Sequence, residues 1–193
     1  MTDAARTQTG WTWGGMARRI RVPLGFLFAA FYLWQARPAW WSLAMGGVVV
    51  APGVILRAMA SGHVQKNQEL ATTGPYAYCR NPLYLGSIII AIGFAIASRD
   101  IWVTVAIVLL FAAIYIPVIR AEEFFLRQHF SQYEDYARRV PRLLPRTLWW
   151  SDALTSGFSR ALYRQHREYN AFIGAAAMLA ALVVKMLWFP HSW

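Results

Sequence analysis

Cysteine and charged residues are scarce in this chain. Cys79 is the single cysteine among 193 residues, which excludes an intramolecular disulfide and a zinc cluster built from cysteines. Charged residues make up only 15% of the chain, too few for most soluble folds or for a disordered protein. A glycine-rich loop between a strand and a helix is also missing, so nothing indicates a soluble dinucleotide-binding domain.

Apolar residues dominate instead, at 58% of the chain, and the formal net charge is +10 at pH 7. Five apolar runs cross, or nearly cross, a hydrocarbon core of about 30 Å when they are helical. They cover residues 22–36, 39–60, 83–98, 101–119 and 171–189. This pattern predicts an all-α integral membrane bundle of about five transmembrane helices. We expect one domain over residues 1–193, divided into N-terminal spans (1–60), a core (61–146) and a basic linker with the last span (147–193).

Two segments between these runs depart from the membrane pattern. Residues 61–82 carry two glycines and two prolines in turn-forming pairs, which make a continuous helix improbable. Beyond Arg120, apolar side chains recur every three or four residues between charged ones. We therefore expect an amphipathic helix there, at the membrane surface or against a partner helix. Its apolar positions are Leu126, Phe130, Tyr133, Ala137 and Val140.

The basic residues are distributed unevenly between the two ends of the predicted spans. With five spans, 16 of the 19 lie on the side of the N-terminus, and Arg37, Arg99 and Lys185 lie on the other. The positive-inside rule then places the N-terminus and both interrupted segments in the cytoplasm. Because 17 of the 19 are arginine, a bias typical of GC-rich genomes, we expect a bacterial inner membrane. The basic residues flank apolar runs, so membrane lipids and not nucleic acid are the expected partners.

Two short motifs lie in the interrupted segments. Residues 74–86 read GPYAYCRNPLYLG, in which Asn81-Pro82 favours a helix start and Gly86 allows another group to approach the helix closely. The second motif is the pair Glu122 and Glu123, which is costly at the end of an apolar run unless it meets water, a cation or a ligand. A packed loop and a pair of solvated acids would explain the same residues.

Taken in order, these motifs resemble those of membrane methyltransferases of the isoprenylcysteine carboxyl methyltransferase and phospholipid methyltransferase group. The resemblance covers residues 55–146 and includes the tail FxxYxxYxxRVPxxLP at 130–145. The sequences HVQ at 63–65 and LAT at 70–72 are more similar to the isoprenylcysteine branch. The resemblance implies an S-adenosylmethionine enzyme whose cofactor lies in a pocket between the membrane helices and their cytoplasmic ends, within the core 61–146.

The resemblance also implies a set of cofactor-binding residues. Glu122 or Glu123 would accept hydrogen bonds from amino or hydroxyl groups of the cofactor, and no metal is expected. The whole set consists of Gln65, Gln68, Glu69, Leu70, Ala71, Tyr76, Asn81, Pro82, Leu83, Tyr84 and Glu122.

The chemistry of methyl transfer gives the remaining candidates. Transfer from a sulfonium needs alignment and partial removal of water. A carboxylate acceptor is already anionic at neutral pH, so one cation suffices to hold it. Arg80 or Arg120 is that candidate, with Arg120 and Glu123 as the candidate catalytic residues. An amine must first lose a proton, for which Glu123 or His129 is available. Cys79 is expected to pack, because direct transfer needs no covalent intermediate.

The acceptor is expected to reach the site from the bilayer, since apolar spans surround the expected pocket. A lipid or a lipidated small molecule fits this route. The first hypothesis is carboxyl O-methylation of an isoprenylcysteine-like or other amphipathic acid. The second is N-methylation of a phospholipid amine. A third, from another class, is a membrane scaffold without catalytic activity.

Overall fold

The computed structural model describes residues 25–65, 68–145 and 157–188. Within these ranges the chain forms seven α-helices, one 3-10 helix and no strand. The α-helices are α1 (Gly25–Gln35), α2 (Trp40–Ser61), α3 (Pro82–Ser98), α4 (Ile101–His129), α5 (Tyr133–Arg139), α6 (Arg160–Gln165) and α7 (Tyr169–Trp188). The 3-10 helix covers Gly74–Ala77 in the connection between α2 and α3.

Five of these helices are apolar and coincide with the five predicted spans. By length and composition, α2, α4 and α7 are each able to cross a membrane, whereas α3 and the described part of α1 are shorter apolar helices. The all-α membrane bundle expected from the sequence is therefore confirmed. The basic N-terminus, the outer ends of the first and last predicted spans and residues 146–156 lie outside the described residues.

Local sequence sets the ends of the hairpin formed by α3 and α4. Asn81 precedes Pro82, whose fixed φ suits the first helical position and whose missing N–H is not needed there. Arg99 ends α3 in the left-handed conformation, with φ 52°. The Asp100 side chain accepts a hydrogen bond from the Val103 amide at 3.0 Å and so caps the start of α4. The two spans are therefore joined by a tight turn at Arg99 and Asp100.

α2 and α3 pack antiparallel through four glycines and make the most extensive helix–helix contact in the described part of the chain. A Cβ atom at Gly46 would lie 2.6 Å from the Gly93 carbonyl oxygen, and one at Gly53 would lie 2.8 Å from that of Gly86. Both distances are too short for nonbonded atoms, so this approach needs glycine, as in other close pairs of membrane helices. The close neighbour expected at Gly86 is found, because the Arg57 side chain lies against it.

A buried core holds the bundle together at the end where α1 turns into α2 and α3 into α4. The Tyr32 hydroxyl donates to the Phe94 carbonyl at 2.9 Å. The Lys185 ammonium donates to the Leu33 and Ala36 carbonyls at 2.5 and 2.8 Å, which satisfies the C-terminal end of α1. The core consists of Tyr32, Ala36, Leu43, Ala97, Val103, Ile107 and Leu182. The other end of the bundle, where α2 and α4 end and α3 begins, is left for a cavity.

The helix predicted beyond Arg120 has different boundaries in the structure. α4 continues past Arg120 to His129, the chain turns at residues 130–132, and α5 follows as a separate helix. Tyr133 and Tyr136 of α5 are both buried. The chain leaves the axis of α4 because these two side chains pack inward, against the connection between α2 and α3.

We predict that Gly53→Ala destabilises the protein by about 2 kcal/mol, because the added methyl group overlaps backbone atoms of α3. Gly47→Ala is the matched control. A Cβ atom at Gly47, in the same helix, has no other part of the protein within 4 Å, and alanine favours a helix over glycine. Thermal unfolding of both variants in detergent measures the difference. Equal melting temperatures would contradict the close glycine packing of α2 on α3.

Candidate active site

A cavity of about 770 Å³ lies where α2 and α4 end and α3 begins. This volume falls within the range of about 300–1,000 Å³ typical of small-molecule sites. Its wall combines charged, aromatic and aliphatic side chains. The lining residues are Arg57, Val64, Gln65, Glu69, Leu70, Ala71, Tyr76, Arg80, Asn81, Leu83, Tyr84, Ile114, Tyr115, Val118, Ala121, Glu122, Glu123, Phe125, Leu126, Tyr133, Tyr136 and Glu168.

Glu123 is a buried carboxylate in this wall, with 5% of the residue exposed. Its Oε1 accepts a hydrogen bond from Arg142 Nε at 3.0 Å, and its Oε2 accepts one from Arg142 Nη2 at 2.5 Å. Arg80 Nη1 lies 3.6 Å from Oε1, and the Asn81 side-chain amide donates to the same oxygen at 3.4 Å. Two guanidinium groups thus face one carboxylate, which compensates the buried charge and leaves one positive charge in excess within this cluster of three side chains.

The segment after α5 folds back against the start of α3 and completes this cluster. The Arg80 amide donates to the Pro141 carbonyl at 2.9 Å, and the Asn81 side chain donates to the Arg142 carbonyl at 3.1 Å. Cys79 is buried beside them, and burial raises the pKa of its thiol to about 11. The thiol therefore stays neutral at physiological pH, in agreement with a packing role.

Three tyrosines extend the wall. The Tyr136 hydroxyl donates to the Tyr76 carbonyl at 2.7 Å, and the Tyr133 hydroxyl accepts from Arg80 Nη1 at 3.1 Å. Burial raises the pKa of Tyr136 and of Tyr76, and the nearby Glu122 carboxylate raises that of Tyr76 further. These hydroxyl groups remain protonated, so they serve as hydrogen-bonding groups and not as bases.

Arg80 has a buried side-chain donor, its Nε, without a hydrogen-bond partner among the described residues. Native proteins seldom leave a buried donor unpaired, and each such case calls for an explanation. A guanidinium that lines a cavity, with one donor unused and its charge only partly neutralised, is typical of a wall that meets a negatively charged ligand.

The structure brings most of the residues singled out by the sequence to the cavity. Arg80 and Glu123 line it, as do nine of the eleven expected cofactor-binding residues. Gln68 and Pro82 are not among the lining residues.

Arg120 is exposed and does not line the cavity either. His129 is also exposed, and its ring forms a hydrogen bond with the Phe125 carbonyl of its own helix at 2.9 Å. The amides of Tyr84 and Leu85 already donate to the Asn81 carbonyl, so those two amides at the start of α3 are not free for a ligand.

Three charged residues at the site were missed by sequence reasoning. Arg142 holds Glu123, and Arg57 and Glu168 form a second ion pair in the wall, at 2.8 Å. Arg57 carried a signal, because a charged residue inside a predicted span marks a functional site by default. Glu168 is one of only nine acidic residues and lies in a basic linker. Nothing in the sequence alone pairs it with a residue so far away in the chain.

Comparison with known families identifies the class of protein that carries this cavity. A family model described as phospholipid methyltransferase matches residues 24–133, more than half of the chain. The chain therefore belongs to the phospholipid methyltransferase family, and the resemblance drawn from its motifs is confirmed. The matched segment contains α1 to α4 and most of the cavity wall.

Three relatives of this chain fall into two groups, metal-resistance proteins and an O-methyltransferase. The chain is 40% identical over 111 residues to the nickel-cobalt-cadmium resistance protein NccN of Alcaligenes xylosoxydans xylosoxydans, covering 58% of this chain and 46% of that protein. It is 33% identical over 133 residues to the cobalt-zinc-cadmium resistance protein CzcN of Cupriavidus metallidurans, covering 65% and 62%. It is 32% identical over 124 residues to a probable protein-S-isoprenylcysteine O-methyltransferase of Oryza sativa, covering 58% and 65%.

The chain thus spans between about half and two thirds of the length of these relatives. No solved structure matches it. Within the described residues, no group of three or more histidine, cysteine or acidic side chains lies together in a way that would hold a metal ion.

We predict that Glu123→Gln destabilises the protein by about 2 kcal/mol, because it leaves the guanidinium groups of Arg80 and Arg142 without their counter-charge. Glu134→Gln is the matched control. Glu134 pairs with Arg127 at 3.2 Å, but its side chain is 58% exposed, and exposed pairs contribute about 0–1 kcal/mol. Melting temperatures of both variants in detergent check the difference. If the two substitutions have equal effects, Glu123 does not hold the cluster together.

Proposed function

We propose that this chain is an integral membrane methyltransferase that uses S-adenosylmethionine and acts on a lipid or lipidated carboxylic acid. The observation that carries the proposal is the cavity of about 770 Å³, which gathers the first motif, the paired glutamates and the tail motif around one space. Family membership supports the reaction class, and the isoprenylcysteine O-methyltransferase relative supports a carboxyl acceptor.

The residues present fit S-adenosylmethionine. Glu122 is exposed at the cavity wall and offers carboxylate oxygens to the ribose hydroxyls or the adenine amino group. The Arg80, Arg142 and Glu123 cluster has a net positive charge and one unpaired donor, so we assign the amino-acid carboxylate of the cofactor to it. Tyr76 and Tyr84 provide aromatic surface at the same wall.

S-adenosylmethionine supplies an electrophilic methyl group when bound. The task of the chain is to align the acceptor oxygen with that group and to exclude water. A carboxylate needs no general base, so neither Glu123 nor His129 is required as one. Glu123 is already paired with two arginines, which suits a structural role better than proton transfer.

Two other functions remain as alternatives. N-methylation of a phospholipid amine is consistent with the family name, and a membrane scaffold would retain the fold without catalysis. Arg120, a candidate for holding the acceptor, is exposed and outside the cavity lining, so we favour an arginine of the wall for that role.

We further propose that the cavity faces the cytoplasm of a bacterial inner membrane, since most basic residues lie on the same side of the predicted topology as the cavity.

The cofactor proposal predicts that the detergent-purified protein binds S-adenosylhomocysteine, at about one molecule per chain. Glu122→Gln should weaken this binding about tenfold, because it removes the charge from a carboxylate that accepts hydrogen bonds. Calorimetric titration measures both. Glu134→Gln, which removes an acid outside the cavity lining, should bind like the unmodified chain. Absence of saturable binding to folded protein in several detergents would favour the scaffold.

The acceptor class is tested by the pH dependence of methyl transfer to two probes. With labelled S-adenosylmethionine, methylation of palmitic acid should persist at pH 6, because a carboxyl group loses its proton at a much lower pH than the phosphatidylethanolamine amine does. Transfer to phosphatidylethanolamine would fall about tenfold for each pH unit below the amine pKa, because only the neutral amine reacts. Transfer confined to phosphatidylethanolamine, with that pH dependence, would replace the carboxyl acceptor by the amine.

A further inference from the structure

A second cavity adjoins the first. It has a volume of about 320 Å³, and apolar side chains of α1, α3, α4 and α7 form most of its wall. Arg57 and Tyr115 line both cavities. The two spaces therefore meet at Arg57, one of them charged and aromatic and the other apolar. A volume near the lower limit of ligand pockets, about 300 Å³, suits one slender chain.

Each of the three guanidinium nitrogens of Arg57 donates to an acceptor of the protein. Nε and Nη2 donate to the two Glu168 carboxylate oxygens at 2.8 to 3.1 Å. Nη1 donates to the Leu83 carbonyl at 3.3 Å and to the Ser87 hydroxyl at 2.5 Å. The edge of Arg57 formed by Nε and Nη2 is covered by Glu168, so another carboxylate pairs with this edge only when Glu168 leaves it. Its side chain is 17% exposed and that of Glu168 13%, so this pair is largely removed from water.

Glu168 reaches Arg57 from outside the part of the chain that matches the family, which ends at residue 133. It lies in the turn between α6 and α7. The preceding residue, Arg167, has φ 53°, a left-handed conformation that residues other than glycine adopt at an energetic cost. The turn thus holds a carboxylate on Arg57, where the acid group of a molecule with its chain in the apolar cavity would lie.

We propose that Glu168 occupies Arg57 in the absence of acceptor and that the carboxylate of a single-chain amphipathic acid displaces it. This rests on the proposed function, in which the larger cavity holds the methyl donor. The exchange substitutes one carboxylate for another, so Arg57 remains paired and its buried charge remains compensated. An alcohol brings no charge to Arg57, and an amine brings a charge of the wrong sign. The ion pair therefore selects an acid over both.

The test compares three probes with similar chains: palmitate, hexadecanol and hexadecylamine. The unmodified chain, purified in detergent at neutral pH, should bind palmitate about tenfold more tightly than either of the others, which corresponds to one charge-assisted contact. Glu168→Gln should bind palmitate several-fold more tightly still, because the competing carboxylate is gone. Its affinity for hexadecanol should not change. Arg57→Gln should lose the preference for palmitate.

The control and the contrary outcomes are defined by the same measurements. Glu134→Gln removes an exposed acid that lines neither cavity, and this variant should bind all three probes as the unmodified chain does. Equal affinities of the unmodified chain for the three probes would overturn the exchange, even if the Arg57 and Glu168 variants do not fold. Weaker binding of palmitate by Glu168→Gln, or a preference for hexadecylamine, would also overturn it.

Titration of the same preparations with S-adenosylhomocysteine separates this proposal from the proposed function. Binding of S-adenosylhomocysteine without a preference for palmitate rejects the exchange at Arg57 and leaves the methyltransferase proposal intact. A preference for palmitate that Glu168→Gln strengthens, without binding of S-adenosylhomocysteine, supports the exchange and rejects the cofactor assignment.

Discussion

At Gly46, Gly53, Gly86 and Gly93 the backbones of α2 and α3 lie so close that a single added carbon would overlap the opposite helix. In a membrane, where burial of apolar surface gives helices little reason to associate, this close packing is a main source of helix affinity. It also fixes the site. Gly86 leaves room for the Arg57 side chain to pass over α3 to the Ser87 hydroxyl, and the start of α3 is held beside the end of α2. Both cavities depend on that arrangement.

The buried carboxylate of Glu123 is the second constraint, and it joins parts of the chain that the glycine contacts do not reach. A charge in this position is unfavourable unless it is paired. Arg80 comes from the α2–α3 connection and Arg142 from the segment after α5. Because both face Glu123, α5 is drawn over the cavity with its tyrosines inward. Arg57 and Glu168 form a comparable link to the turn before α7. One wall is thereby built from segments that are far apart in the chain.

Much of this could be predicted from local patterns. The five apolar helices, the α3–α4 turn and the close contact at Gly86 follow from hydropathy, turn chemistry and the absence of a side chain, and each is a property of a short stretch. The amphipathic pattern after Arg120 was also local, but it did not show that α4 continues to His129 and that α5 is separate. The break between α4 and α5 depends on the groups that Tyr133 and Tyr136 pack against. One of these groups, the Tyr76 carbonyl that accepts from Tyr136, lies 60 residues earlier in the chain.

The sequence by itself determined the class of fold, the family and the stretches that carry chemistry, because apolar length, turn residues and motif order are written along the chain. Only the tertiary structure decided the environments of the two adjacent glutamates. Both line the cavity, but Glu123 is buried between two arginines, whereas Glu122 is exposed. The tertiary structure also decided that Arg120 faces outward, whereas Arg57 and Glu168 meet between the two cavities. The physical reason is that a charged side chain is defined by its partners, and helix packing brings those partners together from distant positions in the chain.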